Sequence, residues 1–155
     1  MNDLYPDFID FLTALADADV DFVVVGAYAV AYYGQPRATK DIDIFVPTDP
    51  ENAKRLYKAL ATFGAPLNSF HLEECDLHAY GGILQIGMPP QRIDVINKIS
   101  GVDYDEGLID SCVAEVNGRS IRVIGFDALV KNKTASGRPQ DLVDVAALKK
   151  KRDQK

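Results

Sequence analysis

The stretch Asp41-Ile42-Asp43-Ile44-Phe45-Val46 restricts the fold more than any other part of the chain. Its acidic and apolar residues alternate with the two-residue period of a strand, so Ile42 and Ile44 face one side and Asp41 and Asp43 the other. The isoleucines require a core on their side. On the opposite side two carboxylates sit one pleat apart and repel each other. That pairing is costly alone and favourable around a divalent cation, since Mg²⁺ takes a few carboxylates together with waters and phosphate oxygens.

The segments around this strand read as alternating helix and strand. Phe8, Ile9, Phe11, Leu12 and Leu15 are spaced as a buried helical stripe, and Phe22–Val25 is a short apolar run ended by Gly26. An alanine-rich helix closed by Gly34 follows, then the connector 35–40. Pro47 ends the acidic strand. Thr48 or Asp49 can cap the next helix, whose apolar side carries Ala53, Leu56, Tyr57, Leu60 and Phe63 and whose stop is Gly64. Residues 81–97 suggest two strands around a Pro-Pro turn, and 104–112 a short helix. Residues 112–125 form the clearest hairpin, turning at Asn117-Gly118, the pair that a type I′ turn favours. Two helices close the chain, the second with Pro139 in its first turn. Elements in this order fit one domain with a mixed sheet and helices on one face.

A third acid, Asp94, lies between Ile93 and Val95 and therefore on the polar side of its own strand. Alone it reads as a solvent-facing residue. Beside Asp41 and Asp43 it would complete a set of three carboxylates suited to two metal ions and in-line displacement at phosphorus. Gly26 stands at the corner between a strand and a helix, where backbone amides can bind phosphate and a glycine permits close approach. Neither a dinucleotide fingerprint nor a P-loop is present.

The order strand, glycine corner, short helix, then GQPRATKDIDIFV resembles the polymerase-β-type nucleotidyltransferase superfamily. Members carry a glycine-rich corner, D-x-D on the next strand and a third acid on a later one. Within it, the R-x-T-x-D-x-D pattern of Arg37, Thr39, Asp41 and Asp43 resembles the small bacterial group that includes the AbiEii-type toxin nucleotidyltransferases. So does the later pattern of Lys133, Arg138, Asp141 and Asp144. The resemblance covers roughly residues 20 to 148 and implies a minimal nucleotidyltransferase fold of the α/β (α+β) class, a mixed, mostly antiparallel sheet flanked by helices. It also implies an enzyme that moves a nucleoside monophosphate from a nucleoside triphosphate to an acceptor hydroxyl. Asp41, Asp43 and Asp94 would hold Mg²⁺ or Mn²⁺ and act as the catalytic acids. Gly26, Ala27, Arg37, Thr39, Lys133, Arg138 and Asp141 would contact the nucleotide. Ala27 departs from the family corner, which has glycine or serine there; the hydroxyl that a serine would offer a phosphate is missing, and the backbone amides remain.

Several readings stay open. Arg37 can grip a phosphate or pair with Asp41; Lys133 and Arg138 can contact phosphates or form helix-surface ion pairs with Asp141. Tyr28 can stack a base or simply pack. The segment containing His71, Glu73, Glu74, Cys75, Asp76 and His78 lacks the ligand spacings of known zinc sites and reads as a polar loop. A net charge of −6 over 155 residues argues against a protein that coats nucleic acid through its overall field. No basic-flanked leader and no membrane-length apolar run stands in the sequence, and Cys75 and Cys112 have no motif spacing, so a cytoplasmic protein with reduced thiols is expected. The acceptor (RNA end, protein or small molecule), a partner protein and a homodimer are left open. Two rival readings remain: a non-catalytic nucleotide- or partner-binding module that keeps the fold, and a toxin-type enzyme active only with a partner chain.

Overall fold

The computed structural model describes residues 4–34, 41–68, 77, 81–87 and 91–154. In chain order the elements are α1 (Pro6–Asp17), β1 (Val23–Val25), α2 (Gly26–Tyr32), β2 (Asp41–Phe45), α3 (Pro50–Phe63) and β3 (Ile83–Ile86). They continue with β4 (Arg92–Ile96), α4 (Tyr104–Leu108), β5 (Cys112–Val116), β6 (Arg119–Val123), α5 (Phe126–Ser136) and α6 (Pro139–Asp153). The strands form one six-stranded sheet in the order β3-β4-β2-β1-β6-β5. Pairs β3–β4, β1–β2 and β5–β6 are antiparallel, while β2–β4 and β1–β6 are parallel. The sheet is therefore mixed and mostly antiparallel, as the sequence implied.

Local chemistry accounts for the element ends. In α3 the Asp49 carboxylate accepts a hydrogen bond from the Glu51 amide at 3.2 Å, and Pro50 occupies the first turn. Gly64, at φ +95°, then reverses the chain, with its amide on the Ala61 carbonyl and that of Ala65 on Leu60. These two bonds make a Schellman closure that satisfies carbonyls left over at the helix end. Asn117 and Gly118 both have positive φ, 52° and 78°, which a type I′ turn requires at its two central positions.

Helices cover both faces of the sheet, which corrects the expectation of helices on one face. On one face α1 and α3 pack Phe8, Phe11, Leu12, Leu15, Leu56 and Leu60 against Val24, Ile42, Ile44, Ile93 and Val95. On the other, α2, α5 and α6 pack Ala29, Val30, Leu129 and Leu148 against Val23, Val25, Phe45 and Val123. The cause is visible in β1, whose three valines are all buried and so need a cover on each side. Each of these large side chains contributes roughly 1.5–3 kcal/mol by leaving water. Among the described residues no helix is long and apolar enough to cross a membrane.

Candidate functional site

Asp41 and Asp43 lie on β2, with Ile42 and Ile44 fully buried on the α1–α3 side. The two carboxylates consequently face the α2–α5–α6 side. β4 runs parallel beside β2, and its register sets Asp94 opposite Asp43 and Arg92 opposite Asp41. Strand pairing thus brings the three acids expected from the sequence to one place near the middle of the sheet. β1, antiparallel on the other flank of β2, ends opposite Asp43 and turns into α2 at Gly26.

The corner fits closely over the acids. Gly26 has φ +68°, a left-handed conformation that glycine adopts without strain. A Cβ at this position would stand 2.2 Å from Oδ2 of Asp43, so the missing side chain is what lets the corner backbone approach that carboxylate. Ala27 follows in the first turn of α2. Arg37 and Thr39, assigned to the nucleotide from the sequence, lie outside the described residues.

Arg92 is the residue that sequence reasoning missed. Its Nε donates to Oδ1 of Asp94 at 2.9 Å, and Nη2 donates to Oδ2 of Asp94 at 3.2 Å and to Oδ2 of Asp41 at 3.3 Å. One guanidinium therefore joins the two strands through their acids. The Arg-Ile-Asp spacing already put Arg92 and Asp94 on the same strand face; what it lacked was the register that brings Asp41 alongside.

Asp43 carries the electrostatic cost of the cluster. Burial, the hydrogen-bonded Asp94 carboxyl beside it and the charge of Asp41 push its pKa up from 3.8 to about 6, against the pull of Lys133. The donor set fits a hard divalent cation: three carboxylates, one of them destabilised in its charged form by burial and by its acidic neighbours. The cation would relieve that cost. Among the described residues no group of three or more His, Cys, Asp or Glu is arranged to hold a metal ion as the side chains stand. Arg92 joins Asp41 and Asp94.

The second motif, expected at the nucleotide or on a helix surface, forms a buried ion cluster between α5 and α6. Lys133 is buried and donates to Asp141 Oδ1 and Asp144 Oδ2, each at 3.1 Å. Arg138 grips Asp141 through Nε at 2.8 Å and Nη2 at 3.3 Å, Ser136 donates to Asp141 at 2.8 Å, and Gln140 donates to Asp144 at 3.1 Å. Burial works against the charge of Asp141. Hydrogen bonds from Arg138, Ser136 and Lys133 outweigh it and hold the carboxyl well below the usual carboxylate range. The motif thus staples the two closing helices. It also borders the acids, because the charges of Lys133 and Asp43, and of Arg138 and Asp43, act on each other.

Tyr28 is buried and meets Phe8 edge-on at 5.8 Å, which leaves it packing rather than offering a face to a base. His71, Glu73, Glu74, Cys75, Asp76 and His78 lie outside the described residues.

A family model described as nucleotidyl transferase of unknown function (DUF2204) matches residues 5–155. The chain belongs to that family. No curated protein matches this nucleotidyltransferase chain. Among solved structures it resembles the lincosamide antibiotic adenylyltransferase LnuA in its lincomycin-bound form, at 15% identity and a TM-score of 0.61, covering 96% of this chain and 98% of that one. A Thermotoga maritima protein assigned to the nucleotidyltransferases matches at 15% identity and a TM-score of 0.56, over 99% and 97% of the two chains. The antibiotic-resistance factor ANT(2″)-Ia matches at 14% identity and a TM-score of 0.55, over 92% and 80%. At such identities the likeness is one of fold.

Proposed function

We propose that this chain transfers a nucleoside monophosphate from a nucleoside triphosphate to a hydroxyl of a small molecule, with Asp41, Asp43 and Asp94 as its catalytic acids. The observation that carries the reading is the β2–β4 register, which sets Asp94 beside Asp43 under the backbone corner at Gly26. Family membership supports nucleotidyl transfer as the class of reaction. The small-molecule acceptor rests on two points. LnuA, which shares the fold, is an adenylyltransferase bound to lincomycin, and the acidic net charge of −6 disfavours a long polyanion as acceptor.

In the proposed reaction the acceptor hydroxyl oxygen attacks the α-phosphorus. A new phosphorus–oxygen bond forms, the bond from the α-phosphorus to the bridging oxygen breaks, and pyrophosphate leaves. Asp94, oriented by the Arg92 fork, takes the hydroxyl proton. Gly26 lets the backbone amides at the start of α2 come close to the phosphate chain, and Arg37 and Thr39 keep the phosphate role assigned to them from the sequence. Mg²⁺ or Mn²⁺ held by Asp41, Asp43 and Asp94 would supply charge neutralisation at the phosphates. Lys133, Arg138, Asp141 and Asp144 hold α5 against α6 and fix the wall beside the acids, a positioning role in place of direct nucleotide contact. The narrower kinship with AbiEii-type toxins, and with it any need for a partner chain, rests on the two sequence patterns alone.

The test is transfer of label from α-labelled triphosphates to a panel of hydroxylated small molecules, RNA and protein, using wild type, Asp41→Asn and Asp43→Asn. Labelled small-molecule product from wild type and none from either variant supports the proposal. Undiminished transfer by both variants sinks it, and labelled RNA or protein alone sinks the acceptor assignment.

A further inference from the structure

We propose that the open edge of the sheet at β5 joins two copies of this chain, antiparallel about a two-fold axis through Val113, with Glu115 of each copy against Arg122 of the other.

β5 ends the strand order, and among the described residues no strand pairs with its outer side. The hairpin fixes which groups point outward. Its two-residue type I′ turn makes Val116 and Arg119 a hydrogen-bonded pair, and the register then makes hydrogen-bonded pairs of Ala114 with Ile121 and of Cys112 with Val123. Val113 and Glu115 alternate with these, so their amides and carbonyls point away from β6 to the free edge. Such an edge takes another strand unless something blocks it. β5 pairs with β6 without a bulge, contains no proline, and carries Glu115 as its one charge.

On one side of the hairpin Ala114, Val116, Ile121 and Val123 are buried. On the other, Val113 is 52% exposed, and Glu115 and the facing β6 residues Ser120 and Arg122 are exposed with it. This side presents one large apolar side chain and two opposite charges. Among the described residues neither charge forms an ion pair; Nη1 of Arg122 donates to the hydroxyl of Ser111 at 2.8 Å.

These charges select both the occupant and the register. Three two-fold axes pass through the exposed run from Val113 to Glu115. An axis on Glu115 sets two carboxylates opposite each other, which is repulsive, and an axis on Ala114 sets each Glu115 opposite a valine. An axis on Val113 pairs the two valines and sets Glu115 opposite Ser111 of the partner copy, the residue whose hydroxyl holds the Arg122 guanidinium. Each carboxylate then meets a guanidinium, and symmetry makes the match twice. A β-branched pair flanked by opposite charges is a favourable cross-strand set. The contact is isologous, so it closes the edge in both copies and stops at two. The acids on β2 lie three strands in from the joint, about 14 Å away, so both sites stay open. The interface therefore stands or falls independently of the proposed reaction.

The experiment is sedimentation equilibrium of the full chain over a concentration series reaching the millimolar range, with wild type, Glu115→Arg and Arg122→Glu. Wild type is expected to approach twice the 17.0 kDa of one chain. Either variant alone sets like charges together twice per dimer and should raise the dissociation constant at least about tenfold. In an equimolar mixture the two substitutions face each other across the mixed dimer, as do the two native residues. Association should then return to within about threefold of wild type. Misfolded variants would not recover on mixing, so the mixture also controls for loss of structure. A wild type that keeps the mass of one chain throughout leaves the edge to a strand of some other protein and overturns the inference. So does a dimer that survives both reversals, or one that both reversals abolish and mixing does not restore.

Discussion

Replacing Gly26 by alanine separates backbone strain from damage to the site. Two costs follow from the geometry. The left-handed φ of +68° makes any side chain unfavourable by about 1–2 kcal/mol. In addition the new methyl would lie 2.2 Å from Oδ2 and 3.1 Å from Cγ of Asp43, so that the carboxylate must retreat by roughly 1 Å to restore ordinary contact. Gly64 provides the matched control, since it is also left-handed, at φ +95°, and an added Cβ there would meet nothing within 4 Å. Urea unfolding should therefore show Gly64→Ala destabilised by about 1–2 kcal/mol from strain alone. Gly26→Ala should lose at least as much stability. Displacement of a catalytic group by about 1 Å should also reduce transfer roughly 10²-fold, a loss that Gly64→Ala does not share. If Gly26→Ala instead binds Mg²⁺-triphosphate and transfers as well as Gly64→Ala, the close approach of the corner to Asp43 has no functional meaning and the reasoning fails.

Other predictions follow from the same geometry. The folded Asp43 carboxyl titrates near 6 and the unfolded one near 3.8, so the folded state binds more protons between those values and metal-free stability falls as pH rises through that window. Asp43→Asn, which mimics the protonated form, should remove that fall and be more stable than wild type at pH 7 in chelator by up to about 3 kcal/mol; parallel stability profiles for the two proteins would contradict it. Lys133→Met removes the buried ammonium shared by the Asp141 and Asp144 carboxylates and should cost about 3–5 kcal/mol in chemical denaturation. A loss below about 1 kcal/mol would mean that the cluster is solvated, as an exposed pair is. Asn52→Ala removes a side chain that accepts from the Asp21 amide at 2.6 Å and donates to its carbonyl at 3.0 Å, and should lower stability by about 1–3 kcal/mol without affecting nucleotide binding.

Most local structure was legible because it depends on neighbours in sequence. The stripe of Phe8, Phe11, Leu12 and Leu15, the Asp49 cap, the Gly64 stop and the Asn117-Gly118 turn each follow from side-chain spacing or backbone freedom. The facing of Asp41 and Asp43 follows from strand alternation in the same way. What stayed hidden depends on contacts distant along the chain. Val24 pairs with Val123, and the β2–β4 register joins Asp41 to Arg92 across 51 positions, so neither pairing is encoded in a short window. Arg92 has no local signal of its role, because only that register supplies its second carboxylate. For Lys133 the ion pair with Asp141 was legible in the sequence, but its burial and its second partner Asp144 come only from the docking of α6. The two-sided covering of the sheet could have been read from Val23-Val24-Val25, since an unbroken apolar strand has no polar face to leave in water.

The central claim is that Asp41, Asp43 and Asp94 form a cation-dependent nucleotide site. The most direct test is calorimetric titration of each nucleoside triphosphate into wild type and Asp43→Ala, with and without Mg²⁺. The account predicts binding of at least one triphosphate to wild type that requires Mg²⁺ and is lost in Asp43→Ala. Binding that is indifferent to both the cation and the substitution, or no binding of any triphosphate, would contradict it.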